Sequence, residues 1–267
     1  MIKDGVISFL LKVYLVILFL FVFAPIAASV VFSFNSDRFP TIPLGNFTLD
    51  WYQQIINDPD MLTAALNSIF VAICSAVIAT FIGFCTAYSD YRYEFRFKGP
   101  YLALALLPPT IPLIIMALAM LAWLSRFGLS GSIFSIILAH TVLCTPFAMA
   151  IIRLRLNQMD ASLEAAAWNL GASEWRTMRE VVIPFTRPAI VSSLCLTAAV
   201  SFDEFAVAWF VSGLNKTIPV VILEIVQGNI DPRVNAMGTF VFLTSMTLVV
   251  VAQIIFMKNQ KNGTSRD

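Results

Sequence analysis

Asp160–Pro188 reads DASLEAAAWNLGASEWRTMREVVIPFTRP, and this stretch predicts a helix, a break and a second helix. Asp160 or Ser162 can cap the first helix, because a short polar side chain accepts a hydrogen bond from the free amides of a first turn. Ala165–Ala167 is a run of strong helix formers. Gly171 is expected to end this helix in the left-handed backbone conformation, which glycine adopts at the lowest cost.

The second helix of the stretch is expected to begin after Ser173, which can serve as its cap. Helical spacing places three apolar side chains on one of its faces: Trp175, Met178 and Val182. Pro184 and Pro188 are expected to stop the helix before the next apolar run. From this periodicity alone, an amphipathic helix lying on the inner membrane leaflet is an equally good interpretation.

On both sides of this stretch the chain is strongly apolar. Apolar residues make up 59% of the 267 residues and charged residues 12%, whereas soluble domains carry about 45–50% and about 25%. A helix needs about 20 apolar residues to cross a bilayer. Six runs qualify: Leu10–Phe32, Thr63–Tyr88, Tyr101–Leu124, Ser132–Ile152, Ala189–Phe210 and Met237–Met257. The sequence therefore predicts an all-α, polytopic membrane protein with about six spans, forming a single domain over residues 1–267.

Arginine and lysine residues are distributed unequally between the two sides of these runs. One side holds Lys3, Lys12, Arg92, Arg96, Lys98, Arg153, Arg155, Arg176, Arg179, Arg187, Lys258, Lys261 and Arg266. The other side holds Arg38, Arg126, Lys216 and Arg233. Because positive residues are retained on the cytoplasmic side, both termini and the loop from about 153 to 188 are expected to be cytoplasmic.

Two segments on the opposite side are expected to contain short helices. In Ser33–Leu62, apolar residues at helical spacing indicate a helix lying in the membrane interface, with Thr48 as its possible cap. These residues are Phe47, Trp51, Tyr52 and Ile55. In Gly213–Pro232, the sequence PVVILEIVQ indicates an apolar helix that opens with Pro219 and is too short to cross the membrane.

Several function classes are disfavoured by composition. The net charge of +1 gives no reason to expect nucleic acid as a partner. The four cysteines lie inside apolar runs without the close pairing of a metal or redox site, so no metal is expected. The first apolar run, Val6–Phe32, exceeds the apolar region of a secretory signal and is read as a span.

The stretch Asp160–Pro188 resembles the EAA loop of importer permeases in the ATP-binding-cassette (ABC) superfamily. That motif reads EAA, three residues, Gly, then nine residues before an apolar-rich ending in Pro. The matching positions are Ala166, Ala167, Gly171, Val181, Ile183 and Pro184. Ala165 stands where the motif has its glutamate, and Glu164 is displaced by one position.

In that family the loop packs into a groove of the ATPase subunit and carries its closing motion into the spans. The resemblance assigns coupling to the ATPase to Glu164, Ala166, Ala167, Gly171, Ala172, Trp175 and Pro184. Because the chain contains no GxxxxGK[ST] phosphate loop, ATP and Mg are expected on the partner and no cofactor on this chain. The implied partners are two ABC ATPase subunits, a second homologous permease subunit, an extracytoplasmic substrate-binding protein and the lipid of the bacterial inner membrane.

Other segments are similar to the second permease subunit of spermidine/putrescine importers. They are FTLDWY at 47–52, LNS at 66–68, LAHTVLCTPF at 138–147, SFDEF at 201–205 and DPRVNA at 231–236. The resemblance implies import of a small organic solute, with polyamines as the leading cargo. Other solutes of the same branch remain open: an amino acid derivative, an opine or a phosphonate. Many polyamine-type members carry an acidic residue where this chain has Leu113.

Four residues inside the predicted spans are candidates for the substrate path. Asp203 and Glu204 are costly in a membrane unless they meet water, a partner or a cation, so they line the path, close a gate or contact another helix. Neighbouring helical residues point about 100° apart, and Asp203 is favoured for the path. His140 is more typical of an interhelical hydrogen bond than of a metal ligand. Pro112, with two prolines before it, is expected to kink or unwind the third span.

Two rival classes are weaker. An ion-coupled secondary transporter would show inverted repeats and matching broken helices, and the two halves of the chain show no convincing repeat. A membrane-embedded enzyme would need a reactive cluster of side chains, for which one histidine and scattered cysteines are insufficient. The chain is therefore expected to be a transport subunit.

Overall fold

The computed structural model describes residues 2–39, 41–228 and 231–264. Every regular element in these ranges is helical, and an isolated bridge joins Asn35 to Phe47. The α-helices are α1 Ile2–Phe32, α2 Asp50–Asn57, α3 Pro59–Arg92, α4 Lys98–Leu106, α5 Leu113–Arg126, α6 Ile133–Leu156, α7 Ala161–Asn169, α8 Glu174–Thr177, α9 Ile183–Asp203, α10 Ala206–Val211, α11 Ile218–Gly228 and α12 Arg233–Thr264. A 3₁₀ turn covers Pro108–Thr110 and a π-helical turn covers Met178–Val182.

Five described helical segments are long and apolar enough to cross a membrane: Gly5–Phe32, Pro59–Arg92, Ile133–Leu156, Glu174–Asp203 and Arg233–Ile254. They correspond to five of the six predicted spans. The third predicted span is not a single helix, because α4, the 3₁₀ turn and α5 share its length. Proline has no amide hydrogen and its ring clashes with the preceding turn. Three prolines within five residues, Pro108, Pro109 and Pro112, therefore break this span as the sequence predicted.

Residue contacts group the chain into two compact units, so the prediction of a single domain stays a prediction. The first unit contains the chain up to Leu62 together with Ile222–Phe242. In it, α2 is hydrogen-bonded to the residues that follow α1: the Tyr52 hydroxyl lies 2.8 Å from Ser33 Oγ, and Trp51 Nε1 donates to the Asn35 carbonyl at 2.8 Å. The N-cap of α2 is Leu49, which makes no side-chain cap bond, so Thr48 is not the cap suggested by the sequence. The Thr48 hydroxyl instead accepts from the amide of Asp50 at 3.0 Å.

The second unit contains Thr63–Val221 and the chain from Leu243 onward. Here α9 packs along α6, and α10 packs on α5 and α6. One buried cluster joins α3, α5, α6, α10 and the start of α11. A second cluster joins α3, α6, the π-helical turn and the start of α9, with Met149 and Val182 fully buried. The loop between α6 and α9 is therefore attached to a packed core.

Candidate functional site

The loop between α6 and α9 begins with α7, whose two ends are fixed by local hydrogen bonds. The Asp160 carboxylate accepts a hydrogen bond from the amide of Ser162 at 2.8 Å, and this bond lowers the pKa of Asp160. At the other end Gly171 has φ +83°, and its amide donates to the Trp168 carbonyl at 2.8 Å. The amide of Ala172 donates to the Ala167 carbonyl at 3.0 Å. This is a Schellman ending, and the positive φ explains why glycine occupies it.

The second helix of the loop does not stop before the fifth span, so the prediction that Pro184 and Pro188 end it is wrong. Helical structure runs without interruption over Glu174–Asp203. The amide of Ile183 donates to the Met178 carbonyl five residues back, which makes the turn wider than an α-turn. A wide turn before Pro184 gives its ring room beside the preceding carbonyls, and proline is tolerated at the start of a helix.

The Glu164 side chain points into the protein rather than away from it. The residue is only 4% exposed, and its Oε2 lies 3.3 Å from Nε of Arg92 at the end of α3. The Arg92 guanidinium also lies 4.5 Å from the centre of the Trp168 ring. Burial raises the pKa of Glu164, and the charge of Arg92 acts in the opposite direction.

The loop exposes three large apolar side chains among its polar ones. Leu163 is 45% exposed, Leu170 is 88% exposed and Trp175 is 70% exposed. Ala166 and Gly171 are exposed between them, whereas Ala167 and Ala172 are half-buried. The residues predicted to couple to the ATPase therefore differ in exposure: Glu164 is buried, whereas most of the others are accessible.

Trp175 does not share a face with Val182 as its spacing predicted. Val182 is fully buried and Met178 is half-buried, whereas Trp175 is largely exposed. A π-helical turn contains more residues than an α-turn, so it rotates the residues before it relative to those after it. This turn directs Trp175 away from the core that holds Val182.

The fifth span is interrupted beside its two acidic residues, so Ala189–Phe210 is not one helix. The helix α9 ends at Asp203, and Glu204 has extended backbone angles of φ −75° and ψ 117°. The Glu204 carboxylate accepts from the amide of Val207 at 2.9 Å and so caps α10. Asp203 is exposed, and its carboxylate accepts from the Ser245 hydroxyl of α12 at 2.6 Å. The angle of about 100° expected within one helix does not apply here, because the helix ends between the two residues.

A chain of buried hydrogen bonds crosses three helices at His140. Its Nδ1 lies 2.8 Å from Ser201 Oγ of α9, which lies 2.8 Å from Ser75 Oγ of α3. The Ser75 hydroxyl donates to the Val71 carbonyl. Because each hydroxyl has one hydrogen, Ser201 donates to Ser75 and accepts from the Nδ1–H of His140. His140 has no exposed surface and makes the interhelical bond that the sequence suggested.

Pro112, Asn67 and Ser68 lie apart from this chain of bonds. Pro112 is exposed and directly precedes α5, where its extended backbone starts the second half of the broken span. Asn67 and Ser68 bind backbone atoms on either side of the start of α11. Asn67 Nδ2 donates to the Lys216 carbonyl at 3.0 Å, and Ser68 Oγ accepts from the amide of Ile218 at 2.8 Å. No group of three His, Cys, Asp or Glu side chains suited to a metal ion lies in the described part of the chain.

Sequence reasoning missed the charged contacts at the end of α3. In the sequence, Arg92 indicates only the orientation of the spans, and no motif singles out Asp90. Asp90 is buried, and its carboxylate contacts both Arg153 of α6 and Lys98 of α4. Acidic and basic residues alternate around 90–98 in the sequence. This pattern indicates ion pairs but does not identify partners that are distant in the chain.

Comparison with known proteins agrees with this architecture. The family model of "Binding-protein-dependent transport system inner membrane component" matches residues 79–259. The chain is 34% identical over 252 residues to the spermidine/putrescine transport system permease protein PotC of Haemophilus influenzae, covering 94% of this chain and 98% of that protein. It is 30% identical over 237 residues to the putrescine transport system permease protein PotI of Escherichia coli, covering 86% and 84%.

Solved structures share the fold at low identity. A bacterial ABC transporter involved in the import of the acidic polysaccharide alginate aligns with a TM-score of 0.73 at 16% identity, covering 96% of this chain and 97% of that chain. The MetNI methionine ABC transporter aligns with a TM-score of 0.59 at 17% identity, covering 75% of this chain and 98% of that chain. These are ABC transporters, and the shared architecture is the helical permease fold of type I importers. The chain is a multi-pass membrane protein that belongs to the family of inner membrane permease components of binding-protein-dependent transport systems.

Proposed function

We propose that this permease works in an ATP-driven importer and that the loop from α7 to the start of α9 docks on a separate ATPase subunit. The exposed large apolar side chains of the loop carry this proposal. Large apolar side chains that are exposed together indicate an interaction surface, because leaving them in contact with water is unfavourable. Leu170 is 88% exposed beside Gly171, and Trp175 is 70% exposed on the next helix.

The orientation follows from the same loop. The ATPase of such an importer works on the cytoplasmic side, so the loop and both chain termini lie in the cytoplasm. The excess of Arg and Lys on this side supports that orientation. A second homologous permease subunit and two ATPase subunits, which hold ATP and Mg, complete the assembly. An extracytoplasmic binding protein delivers the solute on the opposite side.

The mechanical connection from loop to membrane is the uninterrupted helix over Glu174–Asp203. Thirty residues of helix span about 45 Å at about 1.5 Å per residue, which exceeds the thickness of the hydrocarbon core. Closure of the ATPase subunits moves the lever formed by residues 161–182, and α9 carries the movement to its far end at Asp203. The importer then alternates between outward-open and inward-open states, whose populations the nucleotide shifts.

Polyamines are the proposed cargo. The support is the 34% identity to a spermidine/putrescine permease and the 30% identity to a putrescine permease. Asp203 is the acidic residue proposed to meet the cationic solute, because it is exposed at the end of α9 while Glu204 is engaged as a cap. Another small organic solute of the same branch is the alternative, since Leu113 lacks the charge that many polyamine-type members have nearby.

Replacing Leu170 by Asp tests the docking surface. Leu170 is 88% exposed, so the substitution costs the isolated permease little, but it places a charge in the proposed interface. The variant is expected to retain ATPase subunits at least about tenfold less well in a pull-down from detergent, which corresponds to about 1.4 kcal/mol. Leu214→Asp is the matched control, because Leu214 is 94% exposed in the loop between α10 and α11. Equal retention of the ATPase by Leu170→Asp and the control contradicts the docking surface.

Stimulation of ATP hydrolysis identifies the cargo. The complex with its binding protein is reconstituted in vesicles, and spermidine, putrescine, an amino acid, an opine and a phosphonate are added separately. Spermidine or putrescine is expected to stimulate ATP hydrolysis and to be taken up only with ATP. A response to another solute alone replaces polyamines as the cargo. Uptake that needs an ion gradient and no ATP contradicts the importer itself.

A further inference from the structure

The loop-side end of α3 is a junction of ion pairs between separate helices. Asp90, only 7% exposed, has Arg153 Nε of α6 and Lys98 Nζ of α4 beside its two carboxylate oxygens, the latter at 3.5 Å. Two residues later, Arg92 reaches Glu164 of α7. Asp90 of α3 therefore holds α3 to α6 and α4, and Arg92 of α3 holds it to the loop.

The contact between Arg92 and Glu164 is more than a surface ion pair. The Glu164 side chain is 5% exposed, and its Oε1 is buried with no hydrogen-bond partner among the described residues. The positive charge of Arg92 therefore offsets the cost of burying this carboxylate. Removing one member of a buried pair leaves the other charged and desolvated, which is costly, whereas an exposed pair contributes little.

Arg92 also fixes the orientation of α7 through Trp168. The flat guanidinium lies over the indole at 4.5 Å while its edge meets the Glu164 carboxylate at 3.3 Å. Glu164 and Trp168 are four residues apart, so both lie on the inward side of α7. An arginine that stacks and pairs at the same time has restricted freedom, which a lysine cannot reproduce.

We propose that Arg92 is a positioning residue that fastens the coupling helix α7 to α3. The loop then has two connections to the membrane helices: the continuous chain from α8 into α9, and this ion pair into α3. Movement imposed on α7 reaches α3 directly, and through Asp90 it reaches α6. This inference rests on the proposed function, since it concerns how movement of the docked loop is transmitted.

The test measures transport per ATP hydrolysed in the assembled complex. Arg92→Gln and Glu164→Gln each remove one charge, and the exchanged pair Arg92→Glu with Glu164→Arg restores opposite charges. The single variants are expected to retain the ATPase subunits and lower transport per ATP by at least about fivefold, the lower end of a typical coupling between sites. The exchanged pair is expected to recover at least half of the wild-type ratio. Arg92→Lys is expected to lie between, because it keeps the charge and loses the stacking.

The pair of Lys98 and Glu94 supplies a matched control outside the docking loop. It is also an ion pair, at 2.8 Å, but Glu94 is 89% exposed. Glu94→Gln is therefore expected to leave transport per ATP unchanged. A general effect of charge loss near the end of α3 would lower it equally and would overturn the inference.

The remaining outcomes separate this inference from the proposed function. A wild-type complex that contains no ATPase subunit contradicts the proposed function. A normally assembled Arg92→Gln complex with wild-type transport per ATP overturns the role of Arg92 alone. If Arg92→Gln does not assemble, the other two variants decide. Wild-type transport per ATP in Glu164→Gln overturns the role of Arg92. An exchanged pair that assembles without recovering transport per ATP also overturns it.

Discussion

Gly83 of α3 lies so close to α6 that an added Cβ would stand 2.7 Å from the backbone nitrogen of Met149. It would also stand 2.8 Å from the Cβ of Ala148. Backbone atoms cannot move aside as a flexible side chain can, so α3 and α6 would have to separate. Close packing of small residues stabilises helix pairs in membranes, where no hydrophobic effect drives association.

Gly83→Ala is therefore expected to destabilise the permease by about 1–3 kcal/mol through overpacking. The measurement is the thermal unfolding of the purified protein in detergent, followed by the loss of its folded fraction. Gly99→Ala is the control, because an added Cβ at Gly99 meets nothing within 4 Å and Gly99 also lies in a helix. Equal unfolding temperatures for the two variants would show that α3 and α6 tolerate separation.

Gly171→Leu is expected to uncouple ATP hydrolysis from transport. An added Cβ at Gly171 meets nothing within 4 Å, so the cost comes from its φ of +83° and amounts to about 1–2 kcal/mol for most residues. The loop would relieve this cost by changing the angle between α7 and α8. Gly171→Asn is the comparison, because asparagine tolerates the left-handed conformation better, and it is expected to retain most of the coupling. Wild-type transport per ATP in Gly171→Leu argues against the lever.

Ser201→Ala is expected to destabilise the helix bundle by about 0.6 kcal/mol and at most about 1.7 kcal/mol, the range measured for interhelical hydrogen bonds in membranes. It leaves Nδ1–H of the fully buried His140 without its acceptor and removes the bond to Ser75. Chemical unfolding in mixed micelles measures the change. Thr247→Val is the control, since that hydroxyl is exposed and bonds within its own helix to Leu243. A smaller effect for Ser201→Ala than for the control would mean that the three-helix chain of bonds adds no stability.

Asp203→Asn is expected to raise the KM for a cationic cargo and to leave kcat nearly unchanged, because a charge that attracts the solute equally in all states affects binding alone. Asparagine still accepts the hydrogen bond of the Ser245 hydroxyl, which Asp203 holds at 2.6 Å. Uptake of labelled spermidine or putrescine by reconstituted vesicles provides both constants.

Glu204→Gln is the matched comparison for Asp203→Asn. Glutamine keeps the oxygen that accepts from the amide of Val207, so the cap of α10 survives while the charge is lost. We expect wild-type KM in this variant. A raised KM for Glu204→Gln with no change for Asp203→Asn would reverse the assignment of the path residue.

The amino-acid sequence by itself determined the features that depend on local chemistry. Long apolar runs specify spanning helices, because backbone groups in lipid must bond within their own segment. Gly171 specifies the end of α7, and the prolines around Pro112 specify the broken third span, because each restricts the backbone at its own position. The family resemblance of the loop rests on the same short-range spacing.

Packing between distant segments decided the rest. No local signal pairs Arg92 with Glu164 or connects Ser75, His140 and Ser201, since these contacts exist only after α3, α6, α7 and α9 meet. The break after Asp203 contains no proline or glycine; it coincides with Glu204 capping α10 and Asp203 bonding to α12. Likewise the π-helical turn carries the helix past Pro184 and turns Trp175 outward. Such features depend on which partners are within reach in the folded chain, and only the tertiary structure sets that.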